Sequence, residues 1–244
     1  NSGIDHSYTN AGKITSDLNK GISLIEYNFL DLVKKQTFSD KTVEYGYSST
    51  GQRRMRKVTK NGQTNYTFYN GEIVYTSPDN NVENATIVEI QNAEGRFVGG
   101  QFTYGYTDQV GNLRLSYRDS VLNTGGLTSI IIQEGAFDIW GNELDGLGFV
   151  RTTKDNYLIS GKETDSESGN TLLDWRDYDP TTGRMKNPDP AGQFDGISGY
   201  SYCANNPVSS IDPDGAVVHW LVGAAIGGTI NLVGQALKGN VNSF

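Results

Sequence analysis

The chain is poor in the residues that build most metal and redox sites. It has one cysteine, Cys203, and two histidines, His6 and His219. A single thiol cannot close an intrachain disulfide or supply a multi-cysteine zinc set. Cys203 is expected to be a buried, inert thiol. The two histidines are far apart in sequence and lack a partner motif, so neither is given a role. Positive charge is the minority: 20 basic residues stand against 28 acidic ones, a net of −8. That argues against nucleic acid as a partner, because phosphate binding requires a net basic face. The one basic run, Arg53-Arg54-Met55-Arg56-Lys57, reads as a solvated strand whose members alternate between faces. No nucleophile elbow, phosphate-binding loop, dinucleotide fingerprint or zinc-ligand cluster is present, so no cofactor and no metal is expected. The acidic turn Thr164–Gly169 lacks the regular ligand order of a calcium loop. Residues 1–20 are polar and contain no apolar leader.

What the chain does have is turn and strand chemistry. It contains 30 Gly, 14 Tyr and 9 Phe. Aromatic residues suit a pleated, half-buried surface and glycine suits tight turns. Residues 1 to about 76 repeat: Tyr8, Tyr27, Tyr47 and Tyr69 lie 19, 20 and 22 positions apart, and each is followed by a turn of Asn, Asp, Ser or Gly. A repeat near twenty residues accommodates two strands and two turns, so each is expected to be one β-hairpin whose neighbours supply its pairing. Pro78 to Glu83 reads as a loop. Beyond it, Tyr104–Tyr117 reads as a strand, a Gly111-Asn112 turn and a returning strand. Ser129–Glu134 reads as a buried strand, and Trp140 and Trp175 read as inward-facing core aromatics.

Proline is scarce and unevenly placed. Of 6 prolines, all but Pro78 fall between Pro180 and Pro213, three of them in the Asp-Pro steps Asp179-Pro180, Asp189-Pro190 and Asp212-Pro213. Proline fixes its own φ and disfavours helix in the residue before it, while Asp and Asn close turns on their own backbone. Residues 174–216 are therefore expected to be a rigid series of turns and short strands.

Four ordered blocks in this segment resemble the terminal core of the bacterial Rhs/YD-repeat family. Arg176, Tyr178, Asp179, Pro180, Gly183 and Arg184 fit the first block. Asp189, Pro190 and Gly192 fit the second. Tyr200, Tyr202, Asn205, Asn206 and Pro207 fit the third, and Asp212, Pro213 and Gly215 the last. Upstream, Tyr104 to Arg114 resembles the first core signature, with Val110 where the family favours Leu, and Tyr157–Glu163 matches its Tyr-x-x-x-Gly-Lys-Glu. The tyrosine repeats resemble its Tyr-Asp units in degenerate form, with Thr9 and Ser48 where Asp is usual.

The resemblance implies an all-β fold. Residues 1–77 would form antiparallel hairpin repeats, part of a β-shell or cocoon. Residues 84–215 would form the repeat-associated core, curling inward as a plug. Residues 216–244 would lead into a C-terminal toxin region, the chain's expected partner, whose domain would start near Phe244. The implied function is encapsulation and delivery of that toxin by a secreted or cell-surface bacterial effector, with secretion machinery or a surface partner as further contacts. Four repeats are too few to close such a shell, so 1–244 is expected to be part of a longer polypeptide.

In family members that enclose a toxin, aspartates of the Asp-Pro-x-Gly blocks act as an aspartyl autoprotease. Carried over, this implies Asp189 and Asp212 as the catalytic pair, chosen over Asp195 and Asp214, with cleavage between Ala216 and Val217. Ala216 stands where the family commonly has Leu. The competing reading makes both aspartates turn caps, and whether the chain is an enzyme stays open. The alternative function is a cell-surface adhesion or recognition module without catalysis, which grouped aromatics on the outer face would favour. Val217–Leu237 carries no formal charge. A buried helix is preferred there over a membrane-inserting element or a disordered leader.

Overall fold

In a computed structural model the protein is described over residues 5–121, 125–152, 154–189, 198–216 and 218–220. Fourteen strands form one sheet in sequence order, each antiparallel to the next. They are β1 (His6–Tyr8), β2 (Ile14–Asp17), β3 (Ile22–Tyr27), β4 (Val33–Phe38), β5 (Lys41–Tyr47), β6 (Arg53–Lys60) and β7 (Gln63–Asn70), followed by β8 (Ile73–Ser77), β9 (Thr86–Asn92), β10 (Gly95–Val98), β11 (Gln101–Thr107), β12 (Leu113–Val121), β13 (Leu127–Glu134) and β14 (Phe149–Val150). Seven short strands follow outside this sheet: β15 (Tyr157–Ile159), β16 (Lys162–Glu163), β17 (Thr171–Leu172), β18 (Asp177–Asp179), β19 (Arg184–Met185), β20 (Ser210–Ile211) and β21 (His219–Trp220). Among the described residues the only helices are three 3-10 turns of 3 residues each. The fold is therefore all-β, as the repeat pattern predicts.

The anchoring tyrosines end β1, β3 and β5, and Tyr69 is the penultimate residue of β7. One turn recurs after such strands. Its first residue donates its N–H to a carbonyl four positions on and accepts from an N–H three positions on. The pairs are Thr9 with Lys13 and Gly12, Asn28 with Leu32 and Asp31, Ser48 with Gln52 and Gly51, Asp108 with Asn112 and Gly111, and Asp138 with Asn142 and Gly141. The fourth residue is left-handed each time: Gly12, Asp31, Gly51, Gly111 and Gly141 all have positive φ. This is a type I turn closed by a glycine bulge. The first side chain then accepts from the backbone inside the turn: Asp108 Oδ1 from Val110 N at 3.1 Å and Asn112 N at 2.9 Å, Ser48 Oγ from Gln52 N at 3.1 Å, and Thr9 Oγ1 from Lys13 N at 3.1 Å. Any short side chain with an acceptor oxygen serves, so Thr9 and Ser48 can replace aspartate without loss of the turn. Two of the tyrosine hydroxyls reach back to the preceding repeat. Tyr27 Oη donates to Ile14 O and Tyr47 Oη to Val33 O, both at 2.7 Å.

Cross-strand register puts Val43, Tyr45 and Tyr47 on one face with their partners Val58, Arg56 and Arg53. Residues 155–189 and 198–216 lie over this face. Leu172 joins Ile14, Ile22, Ile25, Val33, Phe38, Val43 and Tyr45 in the largest apolar cluster. Leu158 and Ile159 pack with Leu113 and Phe137. Gly111 can have no side chain here, since a Cβ would sit 3.1 Å from Ser160 Cα. The loop at residues 78–83 does not interrupt the sheet, because β8 pairs with β9 across it.

Four expectations are corrected. Arg53 and Arg56 are not solvated: both point under the end piece, where Arg56 Nε lies 3.1 Å from Asp165 Oδ2 and Arg53 3.8 Å from Asp177 Oδ1. A register shift between Gly46 and Tyr47 brings Arg53 onto the face of Arg56, which strict alternation would not do. Trp175 is 42 % exposed and Trp140 only half-buried. The strand at Ser129–Glu134 is covered on one side, with Ile132 and Gln133 buried and Ile131 exposed. The helix preferred over 217–237 does not begin where expected: His219–Trp220 form β21, paired with β20, while Val217 and the tail from 221 onward lie outside the described residues.

Candidate functional site

The turn-rich segment closes on itself around Arg176. This residue precedes β18 and its side chain is 1 % exposed. Its Nη2 lies 3.1 Å from Asp189 Oδ2 and 3.4 Å from Asp212 Oδ2. The Asp189 and Asp212 side chains are 2 % and 0 % exposed. Arg176 Nη1 donates to Gly199 O at 3.2 Å, and its Nε donates to Gly215 O. Asp212 Oδ1 accepts from Gly215 N at 2.8 Å. Asp189 is fixed through its backbone, its N–H donating to Gly199 O at 2.9 Å.

Gly215 is needed for this approach. Its φ is +83, and a Cβ would lie 3.0 Å from both Arg176 N and Leu173 Cβ. The carbonyl held by Arg176 thus belongs to the residue just before Ala216, where the implied cleavage site begins. Ala216 N donates to Asp214 Oδ1 at 2.9 Å, and Trp175 N to Asp214 O at 2.8 Å. Asp189 and Asp212 are thus brought together beside the backbone that leads to Ala216. Asp195, Gly192 and Val217 lie outside the described residues. Asp212 also caps its own turn, so turn capping and a place in the cluster coexist in one residue. From the sequence Arg176 reads only as a motif position. Its charge does not single it out there, since Arg184 is a second cation in the same block.

The rest of the end piece is held to the sheet by buried polar contacts. Lys186 Nζ lies 2.6 Å from both Asp17 Oδ2 and Asp179 Oδ2. Burial would raise the Asp179 carboxyl, but Lys20 and Lys186 outweigh it and hold the group at about 2. Asp177 goes the other way: burial pushes it up to about 6 against the pull of Arg53. Asp165, buried inside the acidic turn, accepts from Tyr45 Oη and from Arg56. It also accepts from Glu167 N at 2.7 Å and Ser168 N at 3.1 Å. Its oxygens are thus occupied by a cation, a phenol and its own turn. Tyr69 Oη donates to Glu163 Oε1 at 3.1 Å, and Tyr27 Oη, which donates to Ile14 O, lies 2.9 Å from Asn187 Oδ1. Cys203 is a buried thiol beside Tyr202 and Tyr178. Among the described residues no group of three or more His, Cys, Asp or Glu could hold a metal ion, and no helix is long and apolar enough to cross a membrane.

The architecture defines a hairpin-repeat β-sheet sealed on one face by its own turn-locked end piece. Solved proteins share it. The fold is that of the TcdB2-TccC3-Cdc42 crystal structure, with a TM-score of 0.68 and 23 % identity over 86 % of this chain and 11 % of that one. No family model matches the chain. By sequence it is 28 % identical over 252 residues to salivary gland surface protein 1 of Aedes aegypti, covering 94 % of this chain. It is also 28 % identical over 232 residues to the tRNA nuclease WapA of Bacillus subtilis, covering 88 % of this chain. The chain spans only 7 % and 9 % of the length of these two relatives.

Proposed function

We propose that this chain is the closing end of an Rhs-type shell. In this reading residues 1–77 are hairpin repeats of the wall, 84–215 are the repeat-associated core, and 216–244 lead into an enclosed C-terminal toxin. The observation that carries it is the placement of residues 155–189 and 198–216, which fold back over one face of the sheet through buried ion pairs, as a plug on the wall would. The kinship supports it. WapA is named as a nuclease, and the fold recurs in a complex containing TccC3. A wall with a plug needs no cofactor, and further wall repeats together with the enclosed toxin would account for the length of the relatives beyond this region. The parent would be secreted or displayed on a bacterial surface.

The same reading assigns an aspartyl autoprotease to Asp189 and Asp212. In this reading one carboxyl of the pair activates a water and the other passes a proton to the leaving nitrogen. Arg176 positions both carboxylates and holds the Gly215 carbonyl. Cleavage would fall between Ala216 and Val217. Mass spectrometry of the expressed parent chain tests this. A cut after Ala216 that disappears in Asp189→Asn and in Asp212→Asn supports the assignment; an uncut wild-type chain removes it.

A second reading, surface recognition without catalysis, is favoured by the uncovered face of the sheet. Phe68, Tyr75 and Ile87 pair across three strands there, as do Ile90, Phe97 and Phe102, and Tyr104 stacks on Tyr117 at 5.1 Å. Ile87, Ile90, Phe97 and Tyr106 are exposed. Ala substitution of Phe97 and Tyr106 that abolishes attachment of the parent to cells, while leaving delivery intact in cells that still bind it, would select this reading.

A further inference from the structure

Lys20, Asn170 and Asp179 meet inside the molecule, on three separate and well-anchored pieces of backbone. Lys20 ends the 3-10 turn Leu18–Lys20, where its N–H donates to Asp17 Oδ1 at 3.3 Å. Asn170 follows the left-handed Gly169, and its carbonyl accepts from Asp165 N at 2.8 Å. Asp179 lies in β18, where its Oδ1 also accepts from Thr181 N at 3.0 Å. Lys20 Nζ is in direct contact with Asn170 Oδ1 and lies 2.8 Å from Asp179 Oδ1. Asn170 is 2 % exposed, Asp179 1 %, and the Lys20 side chain 13 %.

Two of the three N–H groups of the Lys20 ammonium satisfy both contacts, as a salt bridge and a hydrogen bond. The same arrangement holds an amine, a carboxamide and a carboxyl together away from water, the reactants and the proton carrier for amide formation. We infer that Lys20 and Asn170 become joined by an amide bond that the chain makes within itself, with Asp179 carrying the proton.

The chemistry balances without a co-reactant. Asp179 takes a proton from the Lys20 ammonium across their contact. The neutral amine attacks Asn170 Cγ, forming the Nζ–Cγ bond. Asp179 gives its proton to Nδ2, the Cγ–Nδ2 bond breaks and ammonia departs, while the second Nζ proton passes to Asp179 and leaves with the ammonia as ammonium, returning Asp179 to its ionised form. Two lysines touch Asp179, and their surroundings separate their roles. Burial draws the Lys20 ammonium below its ordinary pKa, whereas the carboxylates of Asp179 and Asp17 outweigh burial at Lys186 and raise it. Lys20 is therefore the one that gives up its proton, and a buried lysine that does so is a nucleophile. Lys186 stays charged and fixes the second oxygen of Asp179. Because both lysines hold Asp179 ionised, it is a weak base, which a reaction needed once per molecule tolerates. Fixed proximity supplies most of the drive.

The product would tie the start of the sheet to the end piece across 150 positions of chain. Such a link removes loop-closure freedom from the unfolded state and prevents the end piece from lifting off. The inference stands on this cluster alone and does not require the shell reading or the aspartate pair.

Intact-mass measurement and tryptic mapping of the full chain test it. The expected result is a chain lighter by one ammonia, no tryptic cut after Lys20, and a branched peptide joining the Lys20 and Asn170 segments. Lys20→Arg, Asn170→Ala and Asp179→Ala should each restore the full mass, the last with both reactants still present. Far-UV circular dichroism checks that each variant folds. If Asp179→Ala does not, Lys20→Arg, which keeps the cation, decides. Wild-type chain at full mass with normal cutting after Lys20 overturns the inference, as does ammonia loss that persists in Lys20→Arg.

Discussion

Asp189 and Asp212 place a carboxylate oxygen on the same nitrogen of Arg176, at 3.1 and 3.4 Å. Both side chains are almost fully buried, so the guanidinium is the cation that keeps them together. Replacing Arg176 with Ala would leave two buried carboxylates without it. Breaking a buried ion pair from one side costs about 3–5 kcal/mol. Urea unfolding of Arg176→Ala should show a loss of that order. Asp189→Asn, which keeps shape and hydrogen bonding, should lose far less.

The ion pairs under the end piece should outweigh those at the rim. Arg56 meets Asp165, whose side chain is 0 % exposed, whereas Lys60 meets Asp40 with both side chains about half exposed. Arg56→Ala is expected to destabilise by about 3 kcal/mol, because Asp165 stays buried with its cation gone. Lys60→Ala should leave stability nearly unchanged. Urea midpoints of the two variants, measured together, check the ordering.

Asp177 gives a pH signature. Its folded pKa is raised from 3.8 to about 6, so the folded state holds this proton more tightly than the unfolded chain. The sign is then fixed: this group makes stability fall as pH rises from about 4 to about 6, and its full contribution is present below that window. The size is at most about 3 kcal/mol, from roughly two pKa units. Asp177→Asn removes the titration. Between pH 4.5 and 7.5, wild type should therefore lose stability relative to this variant. Equal pH dependence in the two proteins would contradict the assignment.

The recurring turn can be tested by comparing glycines. Gly111 and Gly62 are both left-handed, but a Cβ at Gly111 meets Ser160 at 3.1 Å while one at Gly62 meets open space. Gly62→Ala should cost only the backbone penalty, about 1–2 kcal/mol. Gly111→Ala should cost more and loosen β15 from the sheet, read as faster amide exchange around Leu158 and Ile159.

Much of this architecture is legible in the sequence because it is local. Tyr8, Tyr27, Tyr47 and Tyr69 mark the strand ends, and each turn needs only an acceptor side chain and, three positions on, a left-handed residue. The Asp-Pro steps likewise announce a turn-locked end. The sequence does not display which strand face that end piece covers. Arg53 and Arg56 look like a solvated run because their partners Asp177 and Asp165 lie more than a hundred positions away and the bulge beside Tyr47 resets the alternation. Lys186 and Asp17, 169 positions apart, carry no mutual signal either. Arg176 is legible as a motif member, but not as the cation on which two aspartates converge. Trp175 departs from its expected place because aromatic character alone does not tell a core from a half-exposed turn.

The central claim is that residues 155–189 and 198–216 close off one face of the sheet and that the part of the parent beyond Trp220 lies behind that closure. Limited proteolysis of the full-length parent, with mass spectrometry of the fragments, tests it most directly. The account predicts that the segment beyond Trp220 resists added protease while the sheet is folded and becomes cleavable when Arg56→Ala and Arg176→Ala together loosen the end piece. Rapid digestion of that segment in the intact wild-type protein, with residues 1–216 left whole, would contradict it.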